Sequence, residues 1–496
     1  MNANIDRVHA GRLLAHPGRQ GVQLGVSIGI EDGRIAHVLS LDCGPEPGAA
    51  PALGGAGALV LPALANAHDH GRGLRPIAYG AEDKALETWL PATYSHPPVD
   101  PYLVAGVAFS RMALGGFASA VHCHLSRPPE VMITDAKAVQ RVAADVGMRI
   151  AFVVPMRDRH RMAYAEDQDV IAHLEPADRE QILENWVRDL APIDEQIACA
   201  DEIAARFETD MFQVQYGPVG AEFCSDAMLE KIAAAAKTKN RRIHMHLQET
   251  KYQRAWADAA YRQGIVTHLD RIGLLSPRLT VAHGVWLRAA ECELLAERGV
   301  IVSINTSSNL RLHSGIAPVA DLIRAGVQIA IGLDAASIDD DEDGLREMRL
   351  TQLLHAGTGF DEVLSPAAIF ETAMTTGPRA VTGRDDFGVI EAGRPADLIV
   401  ADYDAMAADL IDGLADEETI FLRRAKAEVI DAVIAAGRLI CKDRQVTGFD
   451  LKAASEELQS QAAAHGEGLR ALRPLLGRFQ EPLKKFYLSG GHIKRP

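Results

Sequence analysis

Between residue 58 and about residue 385, short apolar segments alternate with amphipathic stretches. This alternation restricts the fold more than any other feature of the chain. Strand-like segments fall at 58–64, 118–123, 149–154, 211–215, 241–246, 279–283, 299–304 and 327–333. Helical periodicity fills the gaps, for example over 225–239, where Ser225 is a suitable N-cap, and over 288–298. Strands that alternate with helices require parallel pairing and crossover connections. The pattern therefore predicts an α/β fold, a (β/α)8 TIM barrel with insertions. A doubly wound sheet is the structural alternative, but no GxGxxG follows an early strand, which counts against its dinucleotide-binding form.

The flanks read differently. Residues 22–30 and 34–39 alternate in polarity around a turn at Glu31-Asp32-Gly33, a hairpin signal. Residues 44–57 are rich in Pro, Gly and Ala and read as a linker. After residue 387 the alternation returns in 388–390, 396–402, 428–434 and 437–440. The two ends are expected to pair into a small composite β-sandwich domain, 1–57 plus 388–450, leaving 58–387 as the catalytic barrel. Residues 451–496 read as a helical extension with a basic tail (Lys484, Lys485, Lys494, Arg495) and no assigned chemistry. A long charged stretch, 157–208, follows the third strand and reads as a lid, an oligomer contact or a solvated insertion.

Charge and cysteine usage narrow the class. A formal charge of −16 disfavours nucleic acid and anionic membranes, both of which select basic faces. Six scattered cysteines form no CxxC pair, which suits reduced thiols in a cytoplasmic protein. The first 18 residues carry no apolar core of signal-peptide length, and no run approaches the ~18 apolar residues of a membrane span. The expectation is a soluble cytoplasmic protein acting on a small molecule.

The chemistry-bearing residues sit where the predicted strands end. His68 and His70 are two apart, so on extended backbone both imidazoles face one point. A second pair, His244 and His246, ends the fifth strand, with Glu249 three residues further on. His283 ends the sixth strand and Asp334 the eighth. Singly, each has an ordinary reading: a strand-end histidine as scaffolding, or Asp334 as a helix N-cap. Jointly they project into one barrel mouth. Three imidazoles and a carboxylate there suit a transition metal with one position left for water, beside two further ionisable groups.

As a set, these residues resemble the amidohydrolase superfamily, in particular the cytosine-deaminase-like branch with guanine, S-adenosylhomocysteine and triazine deaminases or hydrolases. Further matches are Leu86-Glu87-Thr88-Trp89-Leu90, the Asn305 to Asn309 and Gly315 to Pro318 segments, Gly377 to Ala380, and Gly388 to Val400. The similarity spans roughly residues 20 to 445. It implies His68, His70, His246 and Asp334 as metal ligands, with Glu249, His283 and Asp334 as catalytic groups. Two departures stand beside ligands: Ala63 where the family often has Gly, and Leu333 where it often has Thr or Ser. Dinuclear relatives commonly bridge two metals with a carboxylated lysine on strand three or four. No lysine lies between Lys137 and Lys231, so one divalent ion is expected, zinc ahead of iron.

The resemblance implies hydrolytic deamination of an amino-substituted nitrogen heterocycle. Asp334 would accept a proton from water, His283 would stabilise the developing oxygen, and Glu249 would protonate the ring nitrogen and leaving amine. Alternatives are ring opening of a cyclic amide, loss of another leaving group such as chloride, or a non-catalytic barrel. Candidate substrate contacts are Trp89, for stacking; His122, from a third HxH with His124; Arg157, followed by Arg159, His160 and Arg161, for a carboxylate or carbonyl oxygen; and Asn305 with Asn309. The expected partner is a small heterocycle, with homo-oligomer formation and neither nucleic acid nor membrane.

Overall fold

The computed structural model describes residues 4–41 and 53–493. Eight parallel strands form one sheet: Leu64–Asn66, Phe117–Cys123, Arg149–Met156, Phe212–Pro218, Ile243–Leu247, Leu279–His283, Ile301–Ile304 and Gln328–Ile331. Nearly every residue in them is buried, as expected where helices cover the outer face. The first and last strands close into a barrel through two backbone bonds. Ala67 N–H donates to the Ile331 carbonyl at 2.7 Å, and Asp334 N–H to that of His68 at 2.8 Å. The helices fall as the periodicity predicts. Asp226–Lys239 begins behind Ser225, whose hydroxyl accepts from Met228 N–H, and Ala289–Glu297 occupies the other segment.

A second sheet of eight strands is built from both ends of the chain. Arg7–Leu13, Gln23–Glu31, Arg34–Ser40 and Leu53–Pro62 join Leu398–Asp402, Ile430–Ala435, Arg438–Lys442 and Gln445–Val446. Its own core includes Val8, Ile28, Ile30, Val60, Val400 and Ile434. Two expectations are corrected here. The segment 58–64 is not the first barrel strand: Leu53–Pro62 pairs with Arg7–Leu13 and Leu398–Asp402, and the barrel strand starts at Leu64, after a break at Ala63. One apolar run thus serves two sheets in succession. The latter part of the presumed linker is therefore strand, while 44–52 lies outside the described residues. Residues 388–390 form no strand, although Ile390 N–H donates to Ala15 O at 3.0 Å.

The insertion after the third strand folds into helices Asp167–Ile171, Pro176–Trp186 and Ile193–Phe207. The C-terminal extension forms Leu451–Ala464 and Gly466–Leu488, so Lys484 and Lys485 are helical. The two pack together. Arg478 forms a fork with Asp178 at 2.8–3.0 Å, and Trp186 stacks on Phe479. Gln480 donates to Thr88 O at 2.6 Å, and Tyr164 N–H donates to the Tyr487 hydroxyl at 3.2 Å. Together they brace the connection that carries Glu87 and Trp89.

Candidate metal centre

The backbone bends sharply where the strands reach the mouth. Gln248, His283 and Asp334 have φ of +52°, +75° and +57°, a left-handed conformation that costs non-glycine residues about 1–3 kcal/mol each. The three residues lie at or just beyond the ends of strands Ile243–Leu247, Leu279–His283 and Gln328–Ile331. Asp334 is not a helix N-cap, because the following helix, Gly344–His355, is capped by Asp343.

His68 Nε2 and His70 Nε2 lie 3.4 and 3.2 Å from Asp334 Oδ1. A tetrahedral ion with bonds of about 2.0–2.1 Å separates its ligand atoms by about 3.3 Å. Ligand nitrogens of His68, His70 and His246 lie within 4.8 Å of one another, as do ligand atoms of His68, His283 and Asp334. The other ring nitrogens are held from behind. His68 Nδ1 meets His244 Nε2 at 2.8 Å, His70 Nδ1 meets Cys123 O at 3.2 Å, and His246 Nδ1 meets Val219 O at 2.8 Å. Such outer partners fix the tautomer and leave Nε2 as the free donor atom.

The electrostatics fit a cation. Burial pushes His68 down to about 4 and His246 well below the usual imidazole range, so both are neutral at pH 7. Burial opposes ionisation of Asp334, but the close approach of the His68 and His70 imidazoles outweighs it and holds the carboxyl well below its ordinary range. A carboxylate therefore faces imidazole lone pairs, and His68 Nε2 is buried without a hydrogen-bond partner. A divalent ion resolves that mismatch. A second group, His68, Cys123 and His244, is a supporting layer: burial holds the Cys123 thiol protonated, and His68 Nδ1 already meets His244.

Glu249 and His283 stand beside this cluster. Glu249 Oε2 is 3.6 Å from His283 Nε2, and Glu249 Oε1 accepts from the Ser314 hydroxyl at 3.1 Å. His283 Nδ1 lies between Asn309 Oδ1 (2.9 Å) and Asn305 Nδ2 (3.2 Å). The shorter contact makes Nδ1–H the donor to Asn309, which leaves Nε2 facing the cavity as an acceptor. Burial raises the Glu249 carboxyl well above its usual range, helped by the charges of Asp334 and Glu87, and burial lowers His283. The proton of the pair thus rests on Glu249.

The four candidate substrate contacts separate. Trp89 is 3% exposed, packed in an apolar cluster with the Arg72 guanidinium 5.3 Å above its ring. Asn305 is fully buried beneath His283, and its Oδ1 accepts from Ser303 at 2.9 Å. His122 and Arg157 line cavities on the mouth side, the former beside His70 and the latter over the Phe223 ring. Several supporting residues escaped the sequence reading. Asn66 accepts from Leu333 N–H at 3.0 Å and donates to Asp69 at 2.9 Å, tying strand one to strand eight. Ser308 donates to Asp334 Oδ2 at 2.5 Å. Glu222, whose carboxyl burial pushes up to about 7, and Glu87, bonded by Thr250 and Tyr164, are buried carboxyls near Glu249. The alternation in 243–247 is the one signal that marks His244 as a neighbour of His246.

Known proteins resemble this chain over most of its length. A family description, the amidohydrolase family, matches residues 59–440. The 5'-deoxyadenosine deaminase of Methanothermobacter thermautotrophicus is 28% identical over 448 residues, 89% of this chain and 95% of that one. The 5-methylthioadenosine/S-adenosylhomocysteine deaminase of Desulforudis audaxviator is 26% identical over 430 residues, 85% of this chain and 91% of that one. The zinc-bound crystal structure of an adenosine deaminase from Xanthomonas campestris superposes with a TM-score of 0.75 at 25% identity, covering 94% of this chain and all of that one.

Proposed function

This chain belongs to the amidohydrolase family, and on that premise we propose that it is a metal-dependent hydrolase deaminating an amino-substituted nitrogen heterocycle. Water adds to the sp2 carbon bearing the amino group and ammonia leaves, so a C–N bond is exchanged for C–O. One juxtaposition carries the reading: Asp334 Oδ1 within 3.4 Å of two imidazole nitrogens, with Glu249 and His283 paired beside it.

His68, His70, His246 and Asp334 would hold one divalent cation, zinc ahead of iron, since nitrogen and carboxylate donors at tetrahedral spacing suit zinc. The cation would supply Lewis acidity and lower the pKa of a water to about 7. Asp334, ionised and steadied by Ser308, takes a proton from the attacking water. Glu249, protonated at rest, donates to the ring nitrogen adjacent to the attacked carbon, takes up the hydroxyl proton of the adduct and passes it to the departing amine; the proton held by Asp334 then restores Glu249. His283 Nε2 accepts a hydrogen bond at the attacking oxygen. Asn309 and Asn305 hold the His283 ring, and Trp89 supports the wall, while His122 and Arg157 are assigned to substrate.

A second ion bridged by a carboxylated lysine is not part of the proposal, because neither Arg149–Met156 nor Phe212–Pro218 contains a lysine. No helix among the described residues is long and apolar enough to cross a membrane. The described cysteines Cys123, Cys199, Cys224, Cys292 and Cys441 are unpaired thiols, which supports a cytoplasmic location. Self-association into a homo-oligomer completes the proposal and is read by light scattering.

The test is ammonia release by the metal-loaded protein across purines, pterins, pyrimidines and triazines. Ammonia from at least one aminoheterocycle is expected. Ring-opened product or released chloride without ammonia would assign the alternative hydrolases, and no turnover of any panel member would overturn the reading.

A further inference from the structure

Beside His70 lies a chamber of about 530 Å³ whose lining includes neither Glu249 nor His283. It lies between the connections that follow the first two barrel strands and the starts of helices Pro101–Leu114 and Pro129–Val146. Volumes of this order hold drug-sized groups. The chamber has two kinds of wall. Val99, Val104, Leu125 and Val139 make one apolar; Arg72, Arg127, His96 and His124 make the other polar.

The polar wall is cationic in a chain of net charge −16. The lining holds two guanidinium groups and one carboxylate, Asp135, which is already engaged: His124 Nε2 meets it at 3.1 Å and Arg127 Nε is 3.8 Å away. Arg72 instead meets the Tyr79 hydroxyl and the Trp89 ring, neither of them an anion. That arginine is 9% exposed; one amino group donates to Tyr79 at 3.1 Å, while its Nε is buried without a partner. His96 Nδ1 is buried and unpartnered too. Burial, reinforced by the charges of Arg72 and Arg127, pushes this imidazole down to about 4, so it is neutral and able to donate without adding charge. A buried guanidinium N–H left unmade is costly, and an acceptor oxygen would repay that cost.

We propose that this chamber is a subsite for a carboxylate-bearing aliphatic arm of the substrate, with the arm along the valine and leucine wall and its carboxylate between Arg72 and Arg127. Arginine suits a carboxylate because its fork can bind both oxygens. His70 links the two spaces: its Nε2 faces Asp334 while its ring borders the chamber. The substrate class is thereby narrowed to an aminoheterocycle carrying an acidic side arm. This inference rests on the proposed deamination for the identity of the ring, but not for the chemistry of the chamber.

The experiment has two arms on the full-length metal-loaded protein. In the first, calorimetry measures binding of hexanoate against hexanol to the wild type, Arg127→Gln and Val131→Asp. Val131 is 39% exposed on the chamber rim, in the first turn of its helix, where an added aspartate is tolerated. Selective hexanoate binding is expected, weakened roughly ten- to hundredfold by either substitution. In the second arm, kcat/KM is compared for a turned-over heterocycle with and without a carboxyalkyl arm. The acidic substrate is expected to be preferred at least tenfold, and Arg127→Gln is expected to pull that ratio towards one.

Equal binding of hexanoate and hexanol, or substitutions without effect, would overturn the subsite even if ammonia is released from plain heterocycles. Selective binding of hexanoate with no heterocycle turned over would keep the chamber and discard deamination. Non-competitive hexanoate inhibition would also overturn the proposal, because it would mark a separate effector site.

Discussion

The Asp334 N–H donates to the carbonyl of His68 at 2.8 Å, and the side chains of the same two residues meet at 3.4 Å. One of the two backbone bonds that close the barrel also sets the carboxylate beside the imidazoles. Closure and site formation are thus one event. Residues that tie strand one to strand eight, Asn66 above all, act on both.

Replacing Glu249 with glutamine is expected to keep the metal and the fold while lowering kcat about 10²- to 10⁴-fold, the usual contribution of a positioned proton-transfer group. Glu249 touches Ser314 and His283 and lies outside the His68–His70–Asp334 contacts. Metal analysis beside steady-state kinetics checks this. Near-wild-type turnover would remove Glu249 from the proton path.

His244 acts through His68. With His68 Nε2 turned to Asp334, its Nδ1–H must donate to His244 Nε2 at 2.8 Å. His244→Leu is expected to weaken metal binding about 10- to 100-fold, as loss of an outer-shell partner does, with activity recovered at excess metal. Chelator competition reads the affinity. An unchanged affinity would mean that packing alone orients His68.

Glu222 predicts a pH-dependent stability. Burial, with Glu249 nearby, raises its carboxyl from 4.5 to about 7. Between those values the folded chain keeps a proton that the unfolded chain releases, so stability falls as pH rises through this window and levels off above it. Glu222→Gln removes that loss. The variant is expected to gain up to about 3 kcal/mol over the wild type at pH 8 and little at pH 4.5, measured by urea unfolding at both values. An equal effect at both pH values would show that Glu222 is ionised in the folded state.

The candidate site was legible in the sequence as a grouping because its members occupy strand ends, where period-two alternation and barrel geometry place side chains without knowledge of their contacts. His68, His70, His246, His283 and Asp334 are found that way. The first barrel strand was misplaced because Leu59, Val60 and Leu61 are as apolar as a barrel strand, and only the break at Ala63 separates the two sheets. Asn66 and Ser308 were missed because their roles are hydrogen bonds across chain separations of 267 and 26 residues, which leave no local pattern. Glu87 and Glu222 sit in stretches where an acid ordinarily faces solvent; both are buried, Glu87 against Thr250 and Tyr164, 163 and 77 residues away. The braced insertion and extension were invisible for the same reason, since Arg478 and Asp178 are 300 residues apart.

The most direct measurement is metal content by elemental analysis of the purified chain, alongside His246→Ala and Asp334→Asn. One equivalent of zinc or iron per chain in the wild type is predicted, falling below about a tenth of that in either variant, each of which removes a ligand and not merely an outer partner. A wild type that retains no metal after loading and desalting, or variants that hold it as tightly as the wild type, would contradict the centre formed by His68, His70, His246 and Asp334.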